Sequence, residues 1–181
     1  IVHRSPLLAQ IDAYNPINTE EIAFKKDMRR FITENEHCFE RTLSSGHITG
    51  SAWVVNYSFS KALLTHHSKL DRWLQLGGHA DGNTDIIAVA SKEAEEESGL
   101  QSLELVSKSI FDIDIHTIPA HKIEPEHLHY DIRFLFKADE NEILHVSSES
   151  KSLKWIPLEQ LSVYTRCNKS ILRMADKYLE R

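Results

Sequence analysis

The chain has 181 residues, 41% hydrophobic and 27% charged, with a net charge of −6 and a pI near 6.0. That composition suits one packed domain with appendages, and with no basic tract to neutralise phosphates it argues against a general binder of nucleic-acid polymers. No apolar run approaches the roughly 18 residues of a spanning helix. Two cysteines, Cys38 and Cys167, make no disulfide framework and fit a reducing cytosol, and no signal peptide is visible, so the expected location is cytoplasmic.

In chain order, residues 3–34 read as helical. Leu7, Leu8, Ile11 and Tyr14 have helical spacing, Pro6 is tolerable in the first turn, and Asn15-Pro16 breaks the segment. Asn18 or Thr19 can cap a second helix carrying Ile22, Met28, Phe31 and Ile32, with Glu21 available for a capping box. From His47 the period changes to two. Residues 47–55 read as a strand and 61–66 as its hairpin partner, with a turn near 57–60. Residues 73–76 are a short extended piece delivering the pair Gly77-Gly78, expected to form a tight turn in which backbone approaches a ligand.

The next stretch reads as one helix with an unusual stripe. Ile86, Val89, Ala90, Glu93, Glu96 and Glu97 fall at i, i+3, i+4, i+7, i+10 and i+11, all on one face. Asn83, Thr84 or Asp85 can cap its start, and Gly99 fits the position that ends a helix. The face begins apolar, so it points at the core, yet it ends in three carboxylates that repel one another and oppose the helix dipole. A divalent cation is the natural counter-ion, since clustered hard oxygen donors suit Mg²⁺ or Mn²⁺. Such ions also let a net acidic enzyme take a small polyphosphate substrate.

After this helix come short strand 103–106, long strands 109–118 and 127–137 joined by a loop with Pro119 and Pro125, a last strand 153–156, a turn 158–161 and a closing helix 169–179. Strands around two principal helices give the α/β class, as an α/β/α sandwich on a mixed sheet. Residues 1–45 form a helical N-terminal extension and 46–181 the main domain. The extension either packs on that domain or serves a homodimer interface.

The run from Gly78 to Leu100 resembles the signature of the Nudix hydrolases, G-x5-E-x7-R-E-U-x-E-E-x-G-U, where U is a bulky aliphatic residue. Gly78, Glu93, Glu96, Glu97, Gly99 and Leu100 match; Thr84 stands at the first glutamate, Lys92 at the arginine and Ala94 at the first U. The motif spans 23 of the 181 residues. The resemblance implies the same sandwich fold, a Mg²⁺- or Mn²⁺-dependent pyrophosphohydrolase, and metal ligands at Glu93, Glu96 and Glu97, joined by the Gly77 carbonyl. Lys92 is expected to orient Glu93, although lysine lacks the bidentate fork of arginine. The family often has a further acid on a loop before the last strand; Glu149 is the best-placed candidate, Glu142 the next. The general base is then Glu93, Glu97 or Glu149.

The two long strands add polar faces. Asp112, Asp114 and His116 share one face of the first; His127, His129 and Asp131 share one face of the second, followed along the strand by Ile132, Phe134 and Phe136. These faces are a substrate-pocket wall, a second metal position, or simply the solvated side of a half-buried pair. Four zinc ligands at typical spacing are not evident. His79, beside Gly78, is the single residue best placed to touch substrate, with His127, His129 and Arg133 as further contacts. The expected reaction is cleavage of a diphosphate linkage in a nucleoside diphosphate derivative or similar compound by metal-activated water. The alternative is a non-hydrolytic Nudix-like module that binds or senses such a ligand, which Thr84 and Lys92 motivate. The family's isomerases use a pocket cysteine, and Cys38 lies in or just after the extension rather than on a core strand.

Overall fold

The computed structural model describes residues 2–179. Helices α1 (Ser5–Ala13) and α2 (Thr19–Glu34) precede strands β1 (Gly46–Asn56), β2 (Lys61–His67), β3 (Arg72–Leu74) and β4 (Leu76–His79). Helix α3 (Ile86–Ser98), strands β5 (Glu104–Leu105), β6 (Asp112–Ile118), β7 (His127–Ala138) and β8 (Ser150–Pro157), and helices α4 (Leu161–Tyr164) and α5 (Lys169–Leu179) complete the order. The eight strands form one sheet along β3-β2-β1-β7-β5, with β4 added to β1, β6 to β7 and β8 to β2. Only the β1–β7 pairing is parallel among these ladders, so the sheet is mixed. No described helix is long and apolar enough to cross a membrane.

Strand β1 is buried along its whole length, because helices cover both faces of the sheet. Its even positions, Ile48, Ala52 and Val54, join Ile132, Phe134 and Phe136 of β7 and residues of α1, α2 and α3 in one core. Its odd positions Trp53 and Val55 join Leu135, Ile171 and Met174 in a second core under α5. The α/β/α sandwich is therefore as expected. Leu7, Ile11, Met28 and Ile32 are essentially inaccessible in the first core, so the N-terminal helices are packed into the fold.

Local chemistry explains the helix boundaries. Asn18 caps α2, its side chain accepting the Glu21 N–H at 2.8 Å. Glu21 does not close a capping box. Its carboxylate is buried and accepts from the Tyr14 hydroxyl, from Lys177 at 2.6 Å and from the Ile17 N–H at 3.1 Å, tying the N-terminal helices to α5. Asp85, of the three candidates, caps α3 by accepting the Ala88 N–H at 3.1 Å, and Gly99 ends it at φ 73°.

The sheet also splits. Strand β1 meets β2 only at Val55 with Ala62, and takes β4 instead along Thr49 to Ala52. Strand β2 turns to β3 and β8. Gly77 and Gly78 thus lie in strand β4 and not in the expected tight turn. The reversal comes later, at Asp81 (φ 46°) and Gly82 (φ 86°).

Candidate active site

The two glycines of β4 are needed for close approach. A Cβ on Gly78 would fall 2.6 Å from the Glu93 carboxyl carbon, and one on Gly77 would fall 2.4 Å from Ser51 Oγ. Helix α3 therefore lies directly on the strand. Gly77 donates its N–H to Glu97 Oε1 at 3.2 Å. Gly50, opposite Gly78 in the ladder, leaves room for Ile86 and Val89 at the apolar start of the same helix face.

The stripe on α3 holds for five of its six residues. Ile86, Val89 and Ala90 are buried and Glu93 and Glu97 half-buried, but Glu96 is exposed. At 3.6 residues per turn Glu96 sits roughly 60° from the centre of the stripe, far enough to reach solvent. Lys92 does not reach Glu93 as expected. Its ammonium lies 3.8 Å from Glu96, one turn along the exposed side, whereas a residue adjacent in sequence points about 100° away.

Electrostatics single out Glu97. Burial pushes its carboxyl up to about 8, against the Gly77 hydrogen bond, and the charges of Glu93, Glu149 and Glu96 add to the shift. Glu93 is raised as well, first by burial and then by Glu96, with Lys92 opposing and Glu149 and Asp81 adding. Glu149 is exposed, in the turn that starts β8, with its carbonyl accepting the Ser68 N–H at 3.1 Å. Its charge reaches both helix glutamates and adds to the rise of each.

Arg133 is not a substrate contact. Its side chain is 1% exposed, and its guanidinium donates to Asp131 at 2.6 Å, Asp112 at 2.7 Å and Ser170 at 3.3 Å. Register is the reason: Arg133 lies opposite Asp112 in the β6–β7 ladder, and α5 covers the pair. Arg173 donates twice to Asp112 at 2.9 Å and once to Asp114 at 3.1 Å, and Lys177 adds a bond to Asp112. The expected polar patch on the two long strands therefore exists, but half of it is a closed ion network. Ile132, Phe134 and Phe136 point to the opposite face, into the first core.

The other half is imidazole. His116 pairs with His129 across the ladder, and His129 lies beside His47 in the parallel β1–β7 register. His79, His127 and His129 are joined there by His47, which sequence reasoning read only as the first residue of a strand. The alternation of His47, Thr49 and Ser51 along an otherwise apolar strand was the available signal. Arg41 was also missed: it holds Asp81 through two bonds of 2.7 and 2.6 Å, and its charge reaches Glu93 and His79. Cys38 is fully buried and its thiol is pushed up to about 11, first by desolvation, so it offers no reactive thiolate to an isomerase.

The NUDIX domain model matches residues 47–176. The chain belongs to the Nudix family. It is a Nudix-type pyrophosphohydrolase by class, and the acidic face of α3 on the glycines of β4 is where the family signature falls. Its fold is similar to that of a Clostridium perfringens hydrolase of the NUDIX family, at 24% identity and a TM-score of 0.55, covering 75% of this chain and 98% of that one. A C. elegans Ap4A hydrolase shares 19% identity at a TM-score of 0.53, over 74% and 97% of the two chains. The E. coli dihydroneopterin triphosphate pyrophosphohydrolase shares 11% at 0.57, over 74% and 96%. No curated protein matches the sequence.

Proposed function

We propose that this Nudix protein is a Mg²⁺- or Mn²⁺-dependent hydrolase that cleaves a diphosphate linkage in a nucleoside diphosphate derivative or similar small polyphosphate. The observation that carries the reading is the uncompensated carboxylate pair, Glu93 and Glu97, half-buried against Gly78 and Gly77 with Glu97 pushed up to about 8. Burying like charges without a cation is unfavourable, and among the described residues no arginine or lysine is hydrogen-bonded to either group. The donor set fits a hard divalent ion: Glu93, Glu97 and the more exposed Glu96, with the Gly77 carbonyl, would hold it. When bound, the ion offsets phosphate charge and lowers the pKa of the attacking water.

The chain's own residues divide the remaining work. Glu97 is anchored by the Gly77 N–H and Glu93 is packed on Gly78, which supports the ligand role assigned to both. Glu149, exposed and close enough for its charge to act on both, is the group assigned to accept the proton from water. His79 follows directly on Gly78, and burial lowers its imidazole to about 4. It is therefore neutral at pH 7, and its ring lies on the imidazole side of β4, opposite the face that Gly78 turns to Glu93, so the substrate group assigned to it is one away from the carboxylates.

A panel of nucleoside triphosphates, ADP-ribose, nucleotide sugars, dinucleoside polyphosphates and coenzyme A, offered with Mg²⁺ or Mn²⁺, tests the reading by phosphate release with and without added phosphatase. We expect turnover of at least one member that Glu97→Gln abolishes and Glu149→Gln slows with metal affinity kept. A folded protein that hydrolyses none of them, yet is thermally stabilised by one with metal, would replace the hydrolase by the binding module.

A further inference from the structure

We propose that His47, His127 and His129 form a second metal site, made of nitrogen donors and suited to Zn²⁺, separate from the carboxylate site on α3. One ligand atom of each residue lies within 4.8 Å of the others. The closest pair, Nε2 of His127 and Nε2 of His129, is 3.3 Å apart. Two ligands at the Zn–N distance of about 2.0–2.1 Å in tetrahedral geometry stand about 3.3 Å apart. The pair is therefore already at coordination spacing.

The outer nitrogens point the same way. His127 Nδ1 donates to the Pro125 carbonyl at 2.9 Å, and His47 Nδ1 faces the Leu43 carbonyl at 3.5 Å. A donor proton on Nδ1 leaves a lone pair on Nε2, and backbone carbonyls of this kind orient metal-binding histidines. His47 is 3% exposed and its Nε2 finds no hydrogen-bond partner among the described residues, an unfavourable state for a buried polar atom that a metal ion would relieve.

Donor chemistry separates the two sites. Imidazoles select borderline transition ions such as Zn²⁺, whereas the glutamates of α3 select Mg²⁺ or Mn²⁺. Three protein ligands leave a fourth position for an exchangeable oxygen ligand, as in zinc sites that act on substrates. The sites are neighbours. The His79 ring lies 5.1 Å from both His47 and His129, and the preceding Gly78 presents the other face of β4 to Glu93.

The test uses the whole chain, stripped with a chelator and reloaded with Zn²⁺, then desalted for elemental analysis; a parallel sample takes Co²⁺ as a spectroscopic probe. We expect one tightly held Zn²⁺ per chain, and with Co²⁺ the strong visible absorption of a four-coordinate nitrogen site. Both should persist in Glu93→Gln/Glu97→Gln and under excess Mg²⁺. Loss of a mere outer-shell partner weakens metal sites by about 10–100-fold, so removing a ligand in His129→Ala should weaken Zn²⁺ by at least about 100-fold. His127→Ala, on a half-buried residue, carries the same expectation should His129→Ala fail to fold. Zn²⁺ that is not retained, that survives both histidine substitutions, or that leaves with the glutamates would overturn the site. None of these readouts depends on hydrolysis.

Discussion

Two clusters of carboxylates lie in this fold, and they are built on opposite principles. Under α5, Asp112, Asp114 and Asp131 meet Arg133, Arg173 and Lys177 within hydrogen-bonding distance, and Thr49 and Ser51 donate to Asp131 at 2.8 Å. Burial alone would raise these acids. The His116 hydrogen bond and the Arg133 charge hold Asp114 below its ordinary value, and chiefly the Arg133 charge does so for Asp131. On α3, Glu93 and Glu97 are also partly buried, but the Gly77 N–H, an exposed Lys92 and the more distant charge of Arg41 do not offset the shift, and both are raised. The difference teaches which cluster is structural. One has its counter-charges within the protein; the other is left short of positive charge where the sheet opens.

The comparison breaks most sharply at Arg133. Arg133→Met leaves Asp131 buried without its ion-pair partner and takes one of three cations from Asp112, and removing one partner of a buried pair typically costs about 3–5 kcal/mol. Urea unfolding should show that loss. The matching change in the other cluster, Glu97→Gln, should leave metal-free stability unchanged or higher near neutral pH, because glutamine is buried there without the proton uptake that Glu97 requires. With Mg²⁺ present its effect is on rate. Losing a ligand that holds the activating ion should lower kcat by at least about 100-fold, or roughly 2.7 kcal/mol of barrier.

Stability against pH should carry opposite signs for the two clusters. Asp114 and Asp131 titrate below their ordinary 3.8, so the stability they contribute is present above that pH and is lost as pH falls through their lowered values. Glu97 titrates at about 8 instead of 4.5, so the folded state holds the proton that the unfolded chain has released. Its contribution therefore falls as pH rises from 4.5 to 8. Chemical denaturation of the metal-free protein should show this decline, and Glu97→Gln should reduce it. The smallest effect belongs to Lys92. Its pair with Glu96 is exposed and 3.8 Å long, so Lys92→Ala should change stability by no more than about 0.5 kcal/mol in the same titration.

Particular residues show how far the sequence could be read. The apolar-to-acidic stripe on α3 was legible because helical spacing is local: 3.6 residues per turn places Ile86, Val89, Glu93 and Glu97 together whatever the chain does elsewhere. The same arithmetic, carried through, would have placed Glu96 at the margin. Alternation on the two long strands was legible too, and it grouped Asp112 with His116 and Asp131 with His127. What each group would meet was not. Arg133 read as a possible phosphate contact because nothing nearby in sequence claimed it, and Arg173 and Lys177 arrive from a helix some forty residues later. His47 escaped notice because its partners, His127 and His129, come to it only through the β1–β7 ladder.

The sequence by itself determined the elements, the family signature and the chemistry of the acidic helix face, since all of these rest on periodicity and spacing within a few turns. Tertiary structure decided which charges are neutralised and which remain open. That depends on strand register and on what α5 covers, and a buried charge takes its character from partners brought in across the sheet.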